Sequence, residues 1–360
     1  MINTCIPDSE VQTALQQLLD DPESASLIGR IYPDADALCA TFAKIHTVDE
    51  FQWLVMRSQV ERIVHNTTDG FTSQYSPQLT PGTPYLFISN HRDIVLDAML
   101  LDYMLINAGF TTPYVIFGAN LFRVPLMATL GRFGKLVSMQ RGGSPRDFYR
   151  ELNDISHFIR TTIVDNRQSI WLAQRNGRTK DGCDRTDSAI VKMLGLSASR
   201  GLSLTEALQP LHIVPVAISY EWEPCDLLKV RERCAPQPYV KGPNDDTVSV
   251  ITGFTQAKGH VHLAVGDPIA DAEIAACDND PHRVADLIDS RIHSLYHPHP
   301  TNHAALRLLD NPRLPEMLQS DSGLSDPDPS LVLFRDKLAQ LATPEERTTL
   351  LELYANPLRS

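Results

Sequence analysis

Tyr85-Leu86-Phe87-Ile88-Ser89-Asn90-His91-Arg92-Asp93-Ile94-Val95-Leu96-Asp97 is the stretch on which the reading of this chain turns. Residues 85–88 form a short apolar run of the kind that fills a strand covered on both faces. Ser89 and Asn90 end the run, and a helical pattern follows over about 95–108. The same alternation continues downstream. Strands are expected at 114–117, 136–139, 169–173, 213–220 and 261–265, with helices at 124–133, 147–165 and 188–194. Strands alternating with helices predict an α/β fold, a largely parallel sheet flanked by helices.

On both sides of this region the pattern is helical. Ser9 followed by Gln12 resembles a capping box ahead of Val11, Leu15, Leu18 and Leu19. Further helical patterns cover about 35–45 and 48–64. Residues 66–84, rich in Thr, Ser, Gly and Pro, read as a linker. After about residue 278 helices are expected at 284–296, 331–341 and 344–354, with a loop at 321–329. The organisation expected is a helical N-terminal region with linker (1–80), an α/β domain (81–275) and a helical C-terminal region (276–360).

Composition narrows the function classes. A chain of 360 residues with 42% hydrophobic and 21% charged residues is globular. The net charge of −12 argues against a nucleic-acid partner, since phosphate backbones require basic surface. No apolar run approaches the roughly 18 residues of a membrane span. Asp8 and Glu10, with no early Lys or Arg, do not resemble a secretory signal, so a cytoplasmic chain is expected. The six cysteines are scattered without a C-x-x-C pair, which fits a reducing compartment.

Ligands in open α/β sheets gather outside the carboxyl ends of the strands, which makes the residues following each strand the candidates for chemistry. After the first strand, His91 is followed within six positions by Asp93 and Asp97. A histidine oriented by a carboxylate is a general base able to activate a hydroxyl; the same residues equally suit the cap of a helix. After the strand at 169–173 comes Gln174-Arg175-Asn176-Gly177-Arg178-Thr179-Lys180-Asp181-Gly182. Cations among glycines and small polar groups suit phosphate, although a solvated turn has the same composition.

Together these segments resemble the glycerolphosphate and lysophosphatidate acyltransferases, whose domain carries four ordered blocks. Asn90-His91-Arg92-Asp93, with Asp97, is similar to the first block. Gly131-Arg132-Phe133-Gly134 and Val137 to Arg141 are similar to the second. Gly177-Arg178-Thr179-Lys180 matches the latter half of the third, and Ile213-Val214-Pro215-Val216-Ala217-Ile218 the fourth. The resemblance spans about 85–269, and its helical N-terminal flank is similar to the glycerol-3-phosphate branch. Two departures stand out. Five residues separate His91 from Asp97 where the family has four, which leaves Asp97 and Asp93 both open as the histidine's partner, Asp97 favoured. Arg175 stands where the family's Glu would fall.

The resemblance implies direct acyl transfer from acyl-CoA or acyl carrier protein to a hydroxyl of glycerol 3-phosphate or lysophosphatidate, without metal or other cofactor. It makes His91 the base, Asp97 or Asp93 its partner, and Arg141, Gly177, Arg178, Thr179 and Lys180 the phosphate-binding set. It also implies work at a membrane surface, peripheral on the inner face of the cell membrane, and the mixed apolar and basic stretch from Leu121 to Lys135 is a candidate for that contact. A serine hydrolase would need G-x-S-x-G, and a P-loop G-x-x-x-x-G-K-[ST]; neither occurs. His293, His297, His299 and His303 lie close together in sequence, but among prolines they read as structural histidines. Fold alone also allows a non-catalytic lipid-binding protein, or an acyltransferase for another lyso-lipid.

Overall fold

The computed structural model describes residues 5–31, 35–118, 125–139, 144–199, 201–242, 244–310 and 329–359. Among the described residues seven strands form one sheet: β1 (Gly70–Tyr75), β2 (Leu86–Ser89), β3 (Tyr114–Gly118), β4 (Leu136–Met139), β5 (Ile170–Ala173), β6 (Ile213–Tyr220) and β7 (His260–Val265). Their order is β1-β7-β6-β2-β5-β3-β4. Strands β2 to β6 run parallel to one another, β7 is antiparallel to β6, and β1 is parallel to β7. This is an α/β fold with a mostly parallel sheet, and helical segments precede and follow it.

The central strands show why sequence periodicity found them. All four residues of β2 and all eight of β6 are buried. Their side chains alternate between two cores, one on each face of the sheet. Phe87 enters the core built on the helices Arg57–Thr67, Leu96–Asn107 and Asp245–Thr255. Leu86 and Ile88 enter the opposite one, under the helices Pro145–Arg160, Ser188–Gly195 and Pro281–Leu295. With β6 and β5 on its two sides, β2 delivers His91 to the middle of the sheet's carboxyl edge, the position where such folds leave a crevice.

The N-terminal helices form their own apolar cluster and dock on the sheet region through Phe133, whose ring stacks on Phe51 at 4.4 Å. A further cluster joins Trp222 and Val230 to the helices Pro300–Asp310, Pro329–Ala339 and Pro344–Ala355.

Three expectations need correction. The supposed linker 66–84 contains β1, an edge strand paired to β7 from Gly70↔His260 to Tyr75↔Val265. Its sequence, Gly-Phe-Thr-Ser-Gln-Tyr, is polar because only one edge is paired and four of its six residues are exposed. Helices at Asp226–Cys234, Asp245–Thr255 and Pro300–Asp310 were not foreseen. The second, Asp-Asp-Thr-Val-Ser-Val-Ile-Thr-Gly-Phe-Thr, is dense in β-branched residues and glycine, and tertiary packing overrides that local preference. Finally, the end of the proposed bilayer stretch is turned into the protein. Phe133 is buried, and the Lys135 ammonium, also buried, pairs with Asp49 at 2.6 Å. Residues 121–124 of that stretch, Arg141 with its glycines, and most of the expected loop 321–329 lie outside the described residues.

Candidate active site

The site is built where β2 gives way to the helix Leu96–Asn107. Asn90 continues the β2–β6 pairing with its side chain. Its amide nitrogen donates to the Ile218 carbonyl at 2.9 Å, and its Oδ1 accepts from the Ile218 N–H at 2.8 Å. That double contact fixes the residue before His91 to the sheet. The next main-chain segment closes on Asp97, in the first turn of the helix. Asp97 Oδ2 accepts from the Arg92 N–H at 2.6 Å, the Asp93 N–H at 2.9 Å and His91 Nδ1 at 3.0 Å. Its Oδ1 accepts from the Tyr220 hydroxyl at 2.9 Å.

Asp97 is therefore the carboxylate in contact with the imidazole. With Nδ1–H given to Asp97, Nε2 carries the lone pair, which is the tautomer of a general base. The ring stands edge-on to Trp171 of β5, centroids 5.8 Å apart, and is partly exposed. Tyr220, at the end of β6, is fully buried. Burial first, then the adjacent Asp97 charge, pushes its phenol well above the usual range, so it remains a donor to Asp97.

Asp93 does different work. Its Oδ1 accepts from the Val95 and Leu96 N–H groups at 3.0 and 2.8 Å, tying down the start of the helix. The rest of the carboxylate is pressed against the helix Asp245–Thr255, so closely that a Cβ on Gly253 would lie 2.3 Å from Asp93 Oδ2. Lys258 lies close enough to interact with this charge; burial pushes its ammonium down to about 8, and Asp93 opposes that shift.

The loop 174–182 reaches the same place. The Gln174 N–H donates to the Ser89 carbonyl, and the Thr179 N–H to the His91 carbonyl at 2.9 Å. Arg178 is buried. One guanidinium nitrogen donates to Ser249 Oγ at 3.2 Å, the guanidinium also interacts with the Cys225 thiol, and Nη1 has no hydrogen-bond partner among the described residues. A buried guanidinium with an unpaired donor has capacity for an anion. Gly177 adopts a φ of +80°, the left-handed turn that lets the loop double back. Arg175 spans its own loop to the Cys183 carbonyl. Lys180 does not join this group. Its ammonium pairs with Glu232 and lines a separate cavity of about 830 Å³ with Arg233, Tyr239 and Glu352, among others; His91 is not in that lining. Of the histidines considered for a metal, His293 Nε2 contacts the Asp184 carbonyl at 2.8 Å, and the His297 ring packs on His262 and His299.

Residues 71–219 match the model of the acyltransferase family. This chain carries an acyltransferase-family domain. It is 25% identical over 203 residues to the glycerol-3-phosphate acyltransferase of Pseudomonas syringae pv. tomato (strain ATCC BAA-871 / DC3000), an alignment covering 54% of this chain. The aligned part is 22% of that protein's length, so the chain spans about a fifth of the curated relative it matches. Among solved structures, the 1-acyl-sn-glycerophosphate (LPA) acyltransferase PlsC of Thermotoga maritima aligns with a TM-score of 0.44 and 11% identity, covering 79% of this chain and 91% of that one. Within the acyltransferase-family domain, His91, Asp97, Asp93, Gly177, Arg178 and Thr179 come together. Sequence reasoning missed Tyr220 and Ser249, which meet the site only through the fold. A tyrosine ending a wholly buried, mostly apolar strand was the available signal for the former.

Proposed function

We propose that this chain moves a fatty acyl group from a thioester, acyl-CoA or acyl carrier protein, onto a hydroxyl of a phosphate-bearing glycerol acceptor, glycerol 3-phosphate or lysophosphatidate. The observation that carries the reading is the 3.0 Å contact between His91 Nδ1 and Asp97 Oδ2 at the carboxyl end of a central strand, within an acyltransferase-family domain. His91 Nε2 takes the acceptor's hydroxyl proton as that oxygen attacks the thioester carbonyl. The new C–O bond forms, the C–S bond breaks, and the departing thiolate recovers the proton from the imidazolium. Asp97 holds the tautomer and balances the imidazolium charge. Arg178, with its unpaired buried donor, contacts the acceptor phosphate, and Arg141 remains a second candidate for that role. Lys180 drops out of the phosphate set because Glu232 already neutralises it. Peripheral contact with a membrane surface belongs to the same reading, because the acyl chains partition there.

The test is thiol release from acyl-CoA and from acyl carrier protein, with glycerol 3-phosphate and lysophosphatidate supplied separately and His91→Ala as control. Acceptor-dependent release that disappears in the control supports the reading and names both substrates. Absence of release from every pair, with folded protein and lipid or detergent present, overturns it in favour of a binding protein.

A further inference from the structure

The family match ends at residue 219, yet the main chain beside His91 is gripped from beyond that point. Arg92 is wholly buried. Its guanidinium pairs with Asp184 and, at 3.4 Å, with Glu223 Oε2. Burial opposes its charge, but Asp184 and Glu223 outweigh that and hold it protonated. Lys229, also wholly buried, donates to the Arg92 carbonyl and to Glu223 Oε1, each at 2.6 Å. Two cations and two carboxylates thus balance inside the protein, and one of the cations holds the carbonyl of the residue that follows His91.

This network is tied in turn to the C-terminal helix Pro344–Ala355. The Tyr354 hydroxyl accepts from the Glu223 N–H at 3.0 Å and donates to Asp226 Oδ2 at 2.7 Å. Lys337 of the helix Pro329–Ala339 donates to the same Asp226 oxygen at 2.6 Å. The other site loop is held by the same C-terminal segment. Asn356 donates to the Asp181 carbonyl at 2.7 Å, and a Cβ at Gly182 would lie 2.3 Å from the Leu353 carbonyl oxygen. One C-terminal segment therefore touches the loop that carries Arg178 and reaches the loop that carries His91 through Glu223 and Lys229.

We infer that Lys229, Glu223 and Tyr354 are positioning residues: they fix the main chain at Arg92, and the C-terminal helices clamp the His91 and Arg178 loops at their working separation. A buried charge set of this kind adds little net stability over apolar packing; what it adds here is the placement of one carbonyl adjacent to the base. The inference rests on the proposed acyl-transfer reading for its kinetic consequence, but not for its structural one.

The experiment uses the full chain with Lys229→Met, and with Tyr354→Phe as the milder variant that keeps the ring and loses only the hydroxyl. Amide hydrogen exchange is followed peptide by peptide. Faster exchange confined to residues 90–97 and 179–183, with β3 and β4 unchanged, is expected in both variants. In acyl-transfer assays kcat should fall roughly tenfold or more for Lys229→Met, which loses the charge-assisted hydrogen bonds to the Arg92 carbonyl and to Glu223, with both KM values within about threefold of wild type. Exchange at 90–97 indistinguishable from wild type in the two folded variants overturns the clamp, as does an unchanged kcat. Exchange rising uniformly over the sheet also overturns it, since that marks a merely structural role. If the wild-type chain transfers no acyl group, the functional proposal fails alone, and the exchange data still decide the clamp.

Discussion

Asp97→Asn separates the two carboxylates of the site most sharply. Asparagine can keep one oxygen where Oδ2 now accepts from Arg92, Asp93 and His91, so the loop survives and the charge does not. In the proposed mechanism an imidazolium forms 3.0 Å from that charge. At an effective dielectric of about 20 the lost attraction is about 5.5 kcal/mol, or about 10⁴ in rate if the proton is fully on His91 in the transition state. The amide retains a dipole and the proton is only partly transferred, so a fall in kcat of about 10² to 10⁴ is expected, with little change in acceptor KM. Asp93→Asn should behave differently. Its Oδ1 can still accept from Val95 and Leu96, so kcat should fall less than tenfold. The assay is initial-rate thiol release at saturating donor and acceptor, run well below each variant's melting temperature. An Asp97→Asn rate within about fivefold of wild type, or an Asp93→Asn loss as large as that of Asp97→Asn, refutes the assignment of Asp97 as the partner of His91.

Arg178→Lys should raise the acceptor KM by roughly ten- to hundredfold, because an ammonium is a single nitrogen and lacks the planar fork that sets one nitrogen on Ser249 and leaves another free for phosphate, whereas Lys180→Met should leave it within about threefold; initial rates against acceptor concentration check both. His299 is buried, and desolvation pushes its imidazole down to about 4 from 6.5. The unfolded chain therefore binds this proton first, stability is retained above about pH 6.5, and roughly 2 kcal/mol is lost between pH 7 and 4.5. Urea titrations at the two pH values should show His299→Gln losing correspondingly less. Burial raises the Asp102 carboxyl well above its usual range. The folded state therefore favours the protonated carboxyl more than the unfolded chain does, so Asp102→Asn should gain most over wild type at neutral pH. That advantage should shrink as pH falls through the ordinary carboxylate range, which thermal melts over a pH series would show.

What the sequence made legible depended on where the stabilising partner lies. The strands β2, β5 and β6 are buried along almost their whole length, so burial alone dictates their composition. The edge strand β1 draws its stability from pairing with residues 190 positions away, and Thr, Ser and Gln there look like a linker. Lys180 shows the same limit with the opposite outcome. Its loop has the composition of a phosphate cradle, but the carboxylate that neutralises it, Glu232, comes from a separate helix. Ser249 and Gly253, which meet Arg178 and Asp93, sit on a helix whose residues locally favour extended structure. Local composition shows which chemistry a loop can do, while long-range contacts decide which of its groups are free to do it.

The extra residue between His91 and Asp97 shows how a departure from spacing can leave a contact intact. Inserted within a helix, one residue would rotate the carboxylate by ~100° and carry it away from the imidazole. Here the helix begins only at Leu96, so the added length falls in the loop 92–95, where the chain can bulge. The bulge is held by the two N–H donors of Arg92 and Asp93 on Asp97 Oδ2 and by Asp93 capping the helix from the other side. Asp97 thus anchors the longer loop with the same oxygen that faces His91, and Tyr220 secures its second oxygen from across the sheet. Orientation of the imidazole and closure of the loop are consequently a single event. Loss of the Asp97 side chain in Asp97→Ala would therefore disorder the loop as well as remove the charge, whereas Asp97→Asn keeps the loop's acceptor, removes the charge and only reverses the Tyr220 contact, in which the amide N–H would now donate to the phenol oxygen, which is why the amide is the informative substitution.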